Sequence, residues 1–300
     1  MKVIITGASG FVGSNLSKYL KDGSLDDVTE LSLRSNFPNQ LPFSNAIIHL
    51  AGKAHDLKKT SKPEEYFEIN CNKSQELFDL FLQSEIKDFI YFSSVKAVAD
   101  TVTGILKEDE IPSPLTPYGL SKQQAEAYLL SKELPIGKRL FIIRPCMIHG
   151  PGNKGNLNLL YKVVKKGIPY PLAGFENQRS FLSIQNLNYI IERILRDQSI
   201  PGGIYNIADD EALSTNQVIE IMAEANGSKA KLWKLNSGII KTMAYIGDKL
   251  HLPLNSERLK KLTESYVVSN EKIKHALKIE KLPISSKEGL LTTIRSFRSS

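Results

Sequence analysis

Tyr118 and Lys122 stand four positions apart in the segment TPYGLSKQQAEAYLL, so on a helix a phenol and an ammonium lie one turn apart on the same face. Thr116 reads as the N-cap of that helix and Pro117 as its first residue. A phenol with an ordinary pKa near 10 is a poor base at neutral pH unless a nearby cation favours its phenolate, and Lys122 can supply one. A YxxxK pair also arises on many amphipathic helices whose tyrosine is merely half buried. Ser93 and Ser94 strengthen the chemical reading: they end an apolar run 25 and 24 residues before the tyrosine, where a hydroxyl could orient a reacting oxygen toward Tyr118. Both serines stay open as the partner.

Gly7, Gly10 and Gly13 form a second constellation. They follow the β-branched run KVIIT and precede apolar residues at helical spacing, Val12, Leu16, Tyr19 and Leu20. Glycine between strand and helix permits a tight turn, close approach of a pyrophosphate and close helix packing, while the helix N-terminus offers unpaired N–H groups to phosphates. The spacing is GxxGxxG rather than GxGxxG; the strand-loop-helix context makes it a dinucleotide site. An acid near the end of the second strand would bind the ribose hydroxyls of NAD, but that strand ends Leu33, Arg34, Ser35. A basic residue there favours a 2′-phosphate, so NADP(H) is preferred and NAD stays possible. Glu30 lies within the strand and is expected to point elsewhere.

The elements that must carry these groups alternate. Candidate strands at 2–6, 28–33, 46–50, 89–93, 140–144 and 204–207 are interleaved with helical patterns near 63–83, 117–134 and 186–197. That order predicts an α/β fold, a doubly wound parallel sheet of the Rossmann type. The stretch between the second and third strands is too short for a full βα unit, so one unit looks trimmed. Residues 1–150, with 183–207 returning to them, are expected to form the dinucleotide-binding domain, and 151–182 with 208–300 a smaller, mostly helical lobe over the C-terminal edge of the sheet.

The 300 residues are 41% apolar, enough for one large core or a core plus a lobe. Only Cys71 and Cys146 are present, each in an apolar segment away from any His/Cys cluster, which argues against a disulfide framework or structural zinc. His49 and His55 lack a third ligand at metal spacing, and His149 beside Gly150 and Pro151 is a candidate for a substrate pocket. The net charge of +7 is dispersed, which gives nucleic acid little support and suits an anionic substrate. No apolar run reaches the length of a bilayer span and no cleavable signal is evident, so a cytoplasmic protein without membrane insertion is expected.

Taken together, TGASGFVG, HLAGKAH at 49–55, Asn70 in YFEINCNKSQEL, FSSVK at 92–96, YGLSK at 118–122, RPCMIHGPG at 144–152 and RSFLSIQNL at 179–187 resemble the extended short-chain dehydrogenase/reductase family. That family comprises sugar-nucleotide epimerases, dehydratases and reductases. The resemblance implies that Tyr118 exchanges a proton with a sugar hydroxyl, that Lys122 binds the nicotinamide ribose and lowers the Tyr118 pKa, and that Ser94 assists. It implies dinucleotide contacts from Gly7, Ser9, Gly10, Phe11, Val12, Gly13, Leu50, Ala51, Gly52, Asn70, Tyr118, Lys122 and Pro145, with Arg34 at the adenosine end. It implies substrate contacts from Lys53, Ser94, Val95 and Met147, diphosphate neutralisation by Arg179 and Arg258, and Asn158 near the phosphates or uracil.

Two departures narrow the chemistry. Dehydratase members carry an Asp-Glu pair where Val95 and Lys96 stand, which disfavours elimination of water; and a VYG triplet of the family reads Val98, Ala99, Asp100 here. The resemblance is closest to a branch of UDP-glucose 4-epimerase-like proteins and reductases that form UDP-N-acetylquinovosamine. It implies a UDP-sugar substrate, a homodimer, and either reduction of a UDP-4-keto-6-deoxy-hexosamine in surface polysaccharide synthesis or 4-epimerisation with tightly held NAD. A non-catalytic dinucleotide sensor or scaffold is the remaining alternative, disfavoured by the intact Tyr/Lys pair.

Overall fold

The structure is a computed structural model that describes residues 1–23, 27–34, 37–53, 62–153, 155–250 and 255–297, apart from the side chains of residues 156, 258 and 261. His55 lies outside the described residues, as does the side chain of Arg258.

Alternation of strand and helix runs through the first two thirds of the chain. In order come β1 (Lys2–Thr6), α1 (Phe11–Asp22), β2 (Asp27–Leu31), β3 (Ala46–His49), α2 (Pro63–Phe67), a π turn (Glu68–Asn72), α3 (Lys73–Gln83) and β4 (Asp88–Phe92). A 3₁₀ turn (Val95–Ala97), β5 (Ile105–Leu106), α4 (Pro117–Ser131), β6 (Arg139–Pro145), β7 (Met147–His149), α5 (Asn156–Lys165), β8 (Phe181–Ser183), α6 (Ile184–Arg196) and β9 (Gly203–Ile207) follow. The remainder holds α7 (Thr215–Ala225), α8 (Ser237–Leu250), α9 (Ser256–Thr263), β10 (Val267–Val268), α10 (Glu271–Leu277) and α11 (Ser286–Ser296).

Six strands make one parallel sheet in the order β2-β1-β3-β4-β6-β9. The chain leaves β1 to one side for β2 and returns to its other side for β3, so the switch point that binds ligands in such sheets falls between β1 and β3. Only one strand lies beyond β1, and the described residues between β2 and β3 hold no helix or strand, as the short spacing there predicts.

Continuous Val, Ile and Phe runs suit strands covered on both faces, and β3 and β4 are buried throughout. One face packs on α1 and α6 through Leu16, Leu20, Ile190, Ile191 and Ile194. The other packs on α3 and α4 through Leu77, Phe78, Phe81, Ala125 and Leu129. A separate core joins α5, α7 and α11 around Phe181, Met222 and Leu290, and a small one joins α8 and α9 to Leu172.

The helix expected over 63–83 is interrupted. Its middle is the π turn, whose extra residue per turn changes the phase of the side chains on either side and leaves Asn70 and Cys71 buried. Helix periodicity alone gives no sign of this insertion.

Candidate active site

The turn after β1 is built from backbone in contact with backbone. Gly7 has a φ of +70°, and a Cβ there would lie 2.6 Å from the Ala51 nitrogen and 2.8 Å from the Leu50 carbonyl carbon. A Cβ on Gly13 would lie 2.3 Å from the Gly7 oxygen, so α1 sits directly against the loop. Gly10 caps α1 without a side-chain hydrogen bond, and the first turn holds no acid. Ser9 and Gly10 are exposed while Phe11 and Val12 are half-buried beside them. An open helix N-terminus of this kind, with side-chain-free approach and no competing carboxylate, fits a dinucleotide pyrophosphate. Gly7, Ser9, Gly10, Phe11, Val12 and Gly13 would hold it.

Arg34 is exposed, three residues past β2. Glu30 is turned back onto α1, accepting from Ser17 Oγ at 3.1 Å and Lys21 Nζ at 2.9 Å, which holds its carboxyl below the usual range. The one acid in β2's second half is therefore occupied away from Arg34.

Tyr118 owes its position to the mounting of α4. The Thr116 hydroxyl accepts from the Gly119 nitrogen at 3.2 Å, closing the first turn. The Asp100 carboxylate receives the Leu115 nitrogen at 2.7 Å, the Thr116 nitrogen at 3.3 Å and the Thr116 hydroxyl at 3.2 Å. Gly119 lets α4 approach the 3₁₀ turn, since a Cβ there would be 2.4 Å from the Lys96 oxygen. The phenol thereby reaches Ser94: burial pushes the Tyr118 pKa up, and a hydrogen bond with the Ser94 hydroxyl works against that rise. Ser94 also caps the 3₁₀ turn, accepting from the Lys96 nitrogen at 3.2 Å. Among the described residues Ser93 Oγ is buried without a hydrogen-bond partner. Of the two serines, Ser94 is the one that meets Tyr118.

Lys122 lies beneath this pair. Its ammonium donates to the Phe92 carbonyl at 2.7 Å, sits 4.8 Å above the Tyr91 ring, and would be 3.4 Å from a Cβ on Gly52. Burial lowers its pKa from 10.5 to about 8, opposed by the Glu126 carboxylate one turn along α4. Glu126 is itself paired with Arg144 of β6 through contacts of 2.6 to 3.2 Å, both side chains only 3% exposed.

The lowered Lys122 value carries a stability prediction with a definite sign. Between pH 8 and 10.5 the unfolded chain holds the proton that the folded chain has released, so unfolding free energy rises with pH across that window. Relative to Lys122→Met, the wild type should show a constant difference below pH 8 and a gain approaching about 1.4 kcal/mol per pH unit above it. Denaturant titrations of both proteins at several pH values check this, and a pH-independent difference would contradict it.

A buried polar chain ties the sheet edge to α3 and α4. Asn70 accepts from the Lys53 nitrogen at 2.7 Å and donates to the Lys53 carbonyl and to Ser121 Oγ, each at 3.1 Å. Its carbonyl accepts from Ser74 Oγ at 2.9 Å, and Ser74 contacts His49 Nε2 at 2.8 Å. His49 Nδ1 in turn lies 2.6 Å from Thr6 Oγ1, which accepts from the Ala51 nitrogen at 3.1 Å. Burial first, and the Lys122 charge second, lower the His49 pKa to about 3, so the ring stays neutral and structural. Leu50, Ala51 and Gly52 thus form a fixed ledge between the glycine loop and Lys122.

The other residues expected to contact a ligand have the following settings. Lys53 pairs with Glu65 and lies 5.7 Å over the Tyr66 ring, which meets the Tyr118 ring edge-on at 6.3 Å. Val95 is buried in the core and Met147 is partly exposed on β7. Pro145 ends β6 opposite Ile207, and Asn158 is half-buried on α5. Arg179 is held by the Glu264 backbone oxygen at 3.1 Å and its carboxylate at 3.5 Å. His149 is fully buried against Thr293 and Asp209, which removes it from any substrate pocket. Lys96 donates to the Asp100 carbonyl at 2.7 Å and lies 4.1 Å from the centre of the Tyr266 ring.

Sequence reading missed Asp100 as the anchor of α4, although the position had stood out as a departure. Glu126 was findable from its i,i+4 spacing to Lys122; its partner Arg144 was not, because that contact spans two elements. Among the described residues no cluster of three or more His, Cys, Asp or Glu could hold a metal, and no helix is long and apolar enough to cross a membrane.

Comparison with known proteins matches this geometry. The model of the NAD dependent epimerase/dehydratase family matches residues 3–208. A UDP-glucose 4-epimerase of Vibrio cholerae is 30% identical over 246 residues, covering 74% of this chain and 75% of that protein. GDP-6-deoxy-D-mannose reductase of Pseudomonas aeruginosa is 26% identical over 244 residues, covering 74% and 79%. The structure of MoeE5 in complex with UDP-glucose and NAD shares the fold, with a TM-score of 0.77 at 20% identity over 100% of this chain and 99% of that one. A family match over about two thirds of the chain, on the strands and loops that build this site, establishes that the chain belongs to the NAD dependent epimerase/dehydratase family, the extended short-chain dehydrogenase/reductases acting on sugar nucleotides.

Proposed function

We propose that the protein catalyses oxidoreduction at C4 of a UDP-hexose or UDP-N-acetylhexosamine, and specifically the NADPH-dependent reduction of a UDP-4-keto-6-deoxy-hexosamine. The observation that carries the reductase form is the end of β2, where Arg34 is exposed and Glu30 is committed to Lys21 and Ser17. That arrangement favours a 2′-phosphate and a cofactor exchanged at each turnover.

The bound dinucleotide supplies two-electron exchange with the sugar carbon. Tyr118, kept protonated at neutral pH by burial, donates its proton to the C4 oxygen, and Ser94 shares that oxygen's hydrogen bonding. Lys122 holds the ribose side of the site from its seat on Phe92, and Asn70 fixes the ledge beside it. Val95, buried, and Lys96, engaged with Asp100 and Tyr266, offer no carboxyl pair for removing water. Arg179, its charge shared with Glu264, would neutralise the diphosphate.

Resemblance to the Vibrio cholerae 4-epimerase supports a second form, in which the same residues act on a tightly held NAD. Two assays separate the forms. Consumption of NADPH with a UDP-4-keto-6-deoxy-hexosamine is expected; conversion of UDP-galactose or UDP-N-acetylgalactosamine to its epimer without added cofactor would instead establish the epimerase. For the reductase, Arg34→Ala should raise the KM for NADPH by about 10- to 100-fold, the worth of a charge-assisted hydrogen bond, and leave that for NADH nearly unchanged. Equal effects on both cofactors would overturn the role of Arg34.

A further inference from the structure

α8 has two apolar faces. Ile240, Ala244 and Gly247 are buried, and the first two pack with Leu172 and Leu259. Ile239, Met243, Ile246 and Leu250 recur at i, i+4, i+7 and i+11 on a different stripe and are 61, 51, 46 and 65% exposed. Just upstream, Trp233 and Leu235 are 56 and 43% exposed. Their segment is bridged to Tyr170 and Leu172, so it belongs to the same small layer as the inner face of α8.

Lysine predominates among the charged residues around these apolar side chains, with Asp248 the one acid on α8. Between Glu224 and Asp248 the chain holds four lysines, Lys229, Lys231, Lys234 and Lys241, and no acid. All four are exposed. Asp248 is engaged by the backbone nitrogen and hydroxyl of Ser256, and Lys249 lies 4.9 Å from the centre of the Tyr245 ring.

We propose that the outer stripe of α8, together with Trp233 and Leu235, seats the protein on the surface of an anionic lipid bilayer. A helix of 14 residues is about 21 Å long, short of the ~30 Å hydrocarbon core, so it lies in the interface rather than across it. Apolar side chains enter the acyl boundary while the lysines meet anionic headgroups, and an aromatic residue sits at the level between them. Charge decides against a second copy of the chain as the occupant: a two-fold contact on this face would bring a surface of lysines toward its own equivalent. The face lies beyond residue 208, where the family match ends, and the proposal does not depend on the reaction catalysed.

Trp233 is the chain's single tryptophan and reports directly on this surface. The full-length protein is mixed with vesicles of phosphatidylcholine and phosphatidylglycerol in equal parts, or of phosphatidylcholine alone. Expected are co-sedimentation with the anionic vesicles, a blue shift of tryptophan emission, loss of both at high salt, and little binding to the neutral vesicles. The double variant Met243→Ser/Ile246→Ser should partition at least about tenfold more weakly while keeping the wild-type melting temperature. Absence of the emission shift with anionic vesicles, or equal partitioning of the double variant, overturns the proposal. So does a wild-type dimer in sedimentation velocity that the double variant converts to monomer, because the face would then belong to a second copy.

Discussion

Tyr118→Phe should lower turnover by about 10²- to 10⁴-fold, the range for a positioned proton donor, with little change in binding of the nucleotide sugar. The substitution removes one oxygen and keeps the ring, so the edge-on contact with Tyr66 survives. In the protein the phenol stands above its ordinary pKa because it is buried, with the Ser94 hydroxyl as the group pulling the other way. The Lys122 ammonium is directed at the Phe92 carbonyl and the Tyr91 ring. Such a phenol is a proton donor first, which suits delivery to a keto oxygen. Ser94→Ala should cost less than Tyr118→Phe and Ser93→Ala less again, since Ser93 Oγ has no hydrogen-bond partner among the described residues. Single-turnover assays with saturating substrate check the order. Unchanged turnover in Tyr118→Phe would falsify the catalytic assignment.

Glu126→Gln is expected to destabilise the fold by about 3–5 kcal/mol, because it strands the Arg144 guanidinium without a countercharge where water cannot reach it. The pair makes three short contacts, and Arg144 also donates to the Glu108 carbonyl at 3.4 Å. Replacing both partners with leucine should recover most of the loss, as the cost lies in one unpaired charge rather than in the missing bridge. The effect reaches the reaction as well. Glu126 is the group that holds the Lys122 pKa up against burial, so its neutralisation should move that lysine below its present value of about 8. Chemical denaturation of the three proteins at pH 7 checks the first claim, and the pH profile of activity in Glu126→Gln, with its alkaline limb moved to lower pH, checks the second. A destabilisation below about 1 kcal/mol would mean that water or a neighbour compensates Arg144.

The glycine loop, the Tyr118/Lys122 spacing and the alternation of strands were legible in the sequence because each is a local pattern: a turn, one helical step, a run of branched residues. The trimmed connection after β2 was legible for the same reason, being a matter of length. What the sequence withheld is long-range. His49 read as structural or substrate-side rather than as a metal ligand, and its structural partners, Thr6 and Ser74, emerge only from the fold. His149 looked like a pocket residue because it adjoins Gly150 and Pro151, yet α11 covers it through Thr293, 144 positions away. The resemblance implies that Arg179 neutralises a diphosphate, but its pairing with Glu264, 85 positions on, could not be read from the sequence.

The π turn at Glu68–Asn72 makes the site sensitive to chain length. An uninterrupted helix from Pro63 to Gln83 would set Asn70 about 100° farther round the axis relative to α3, the angle of one residue. Its amide would then leave Lys53 and Ser121 together, and the ledge beside Lys122 would lose its support. Deleting one residue within the turn is therefore expected to break these contacts with no substitution at Tyr118, Lys122 or Asn70.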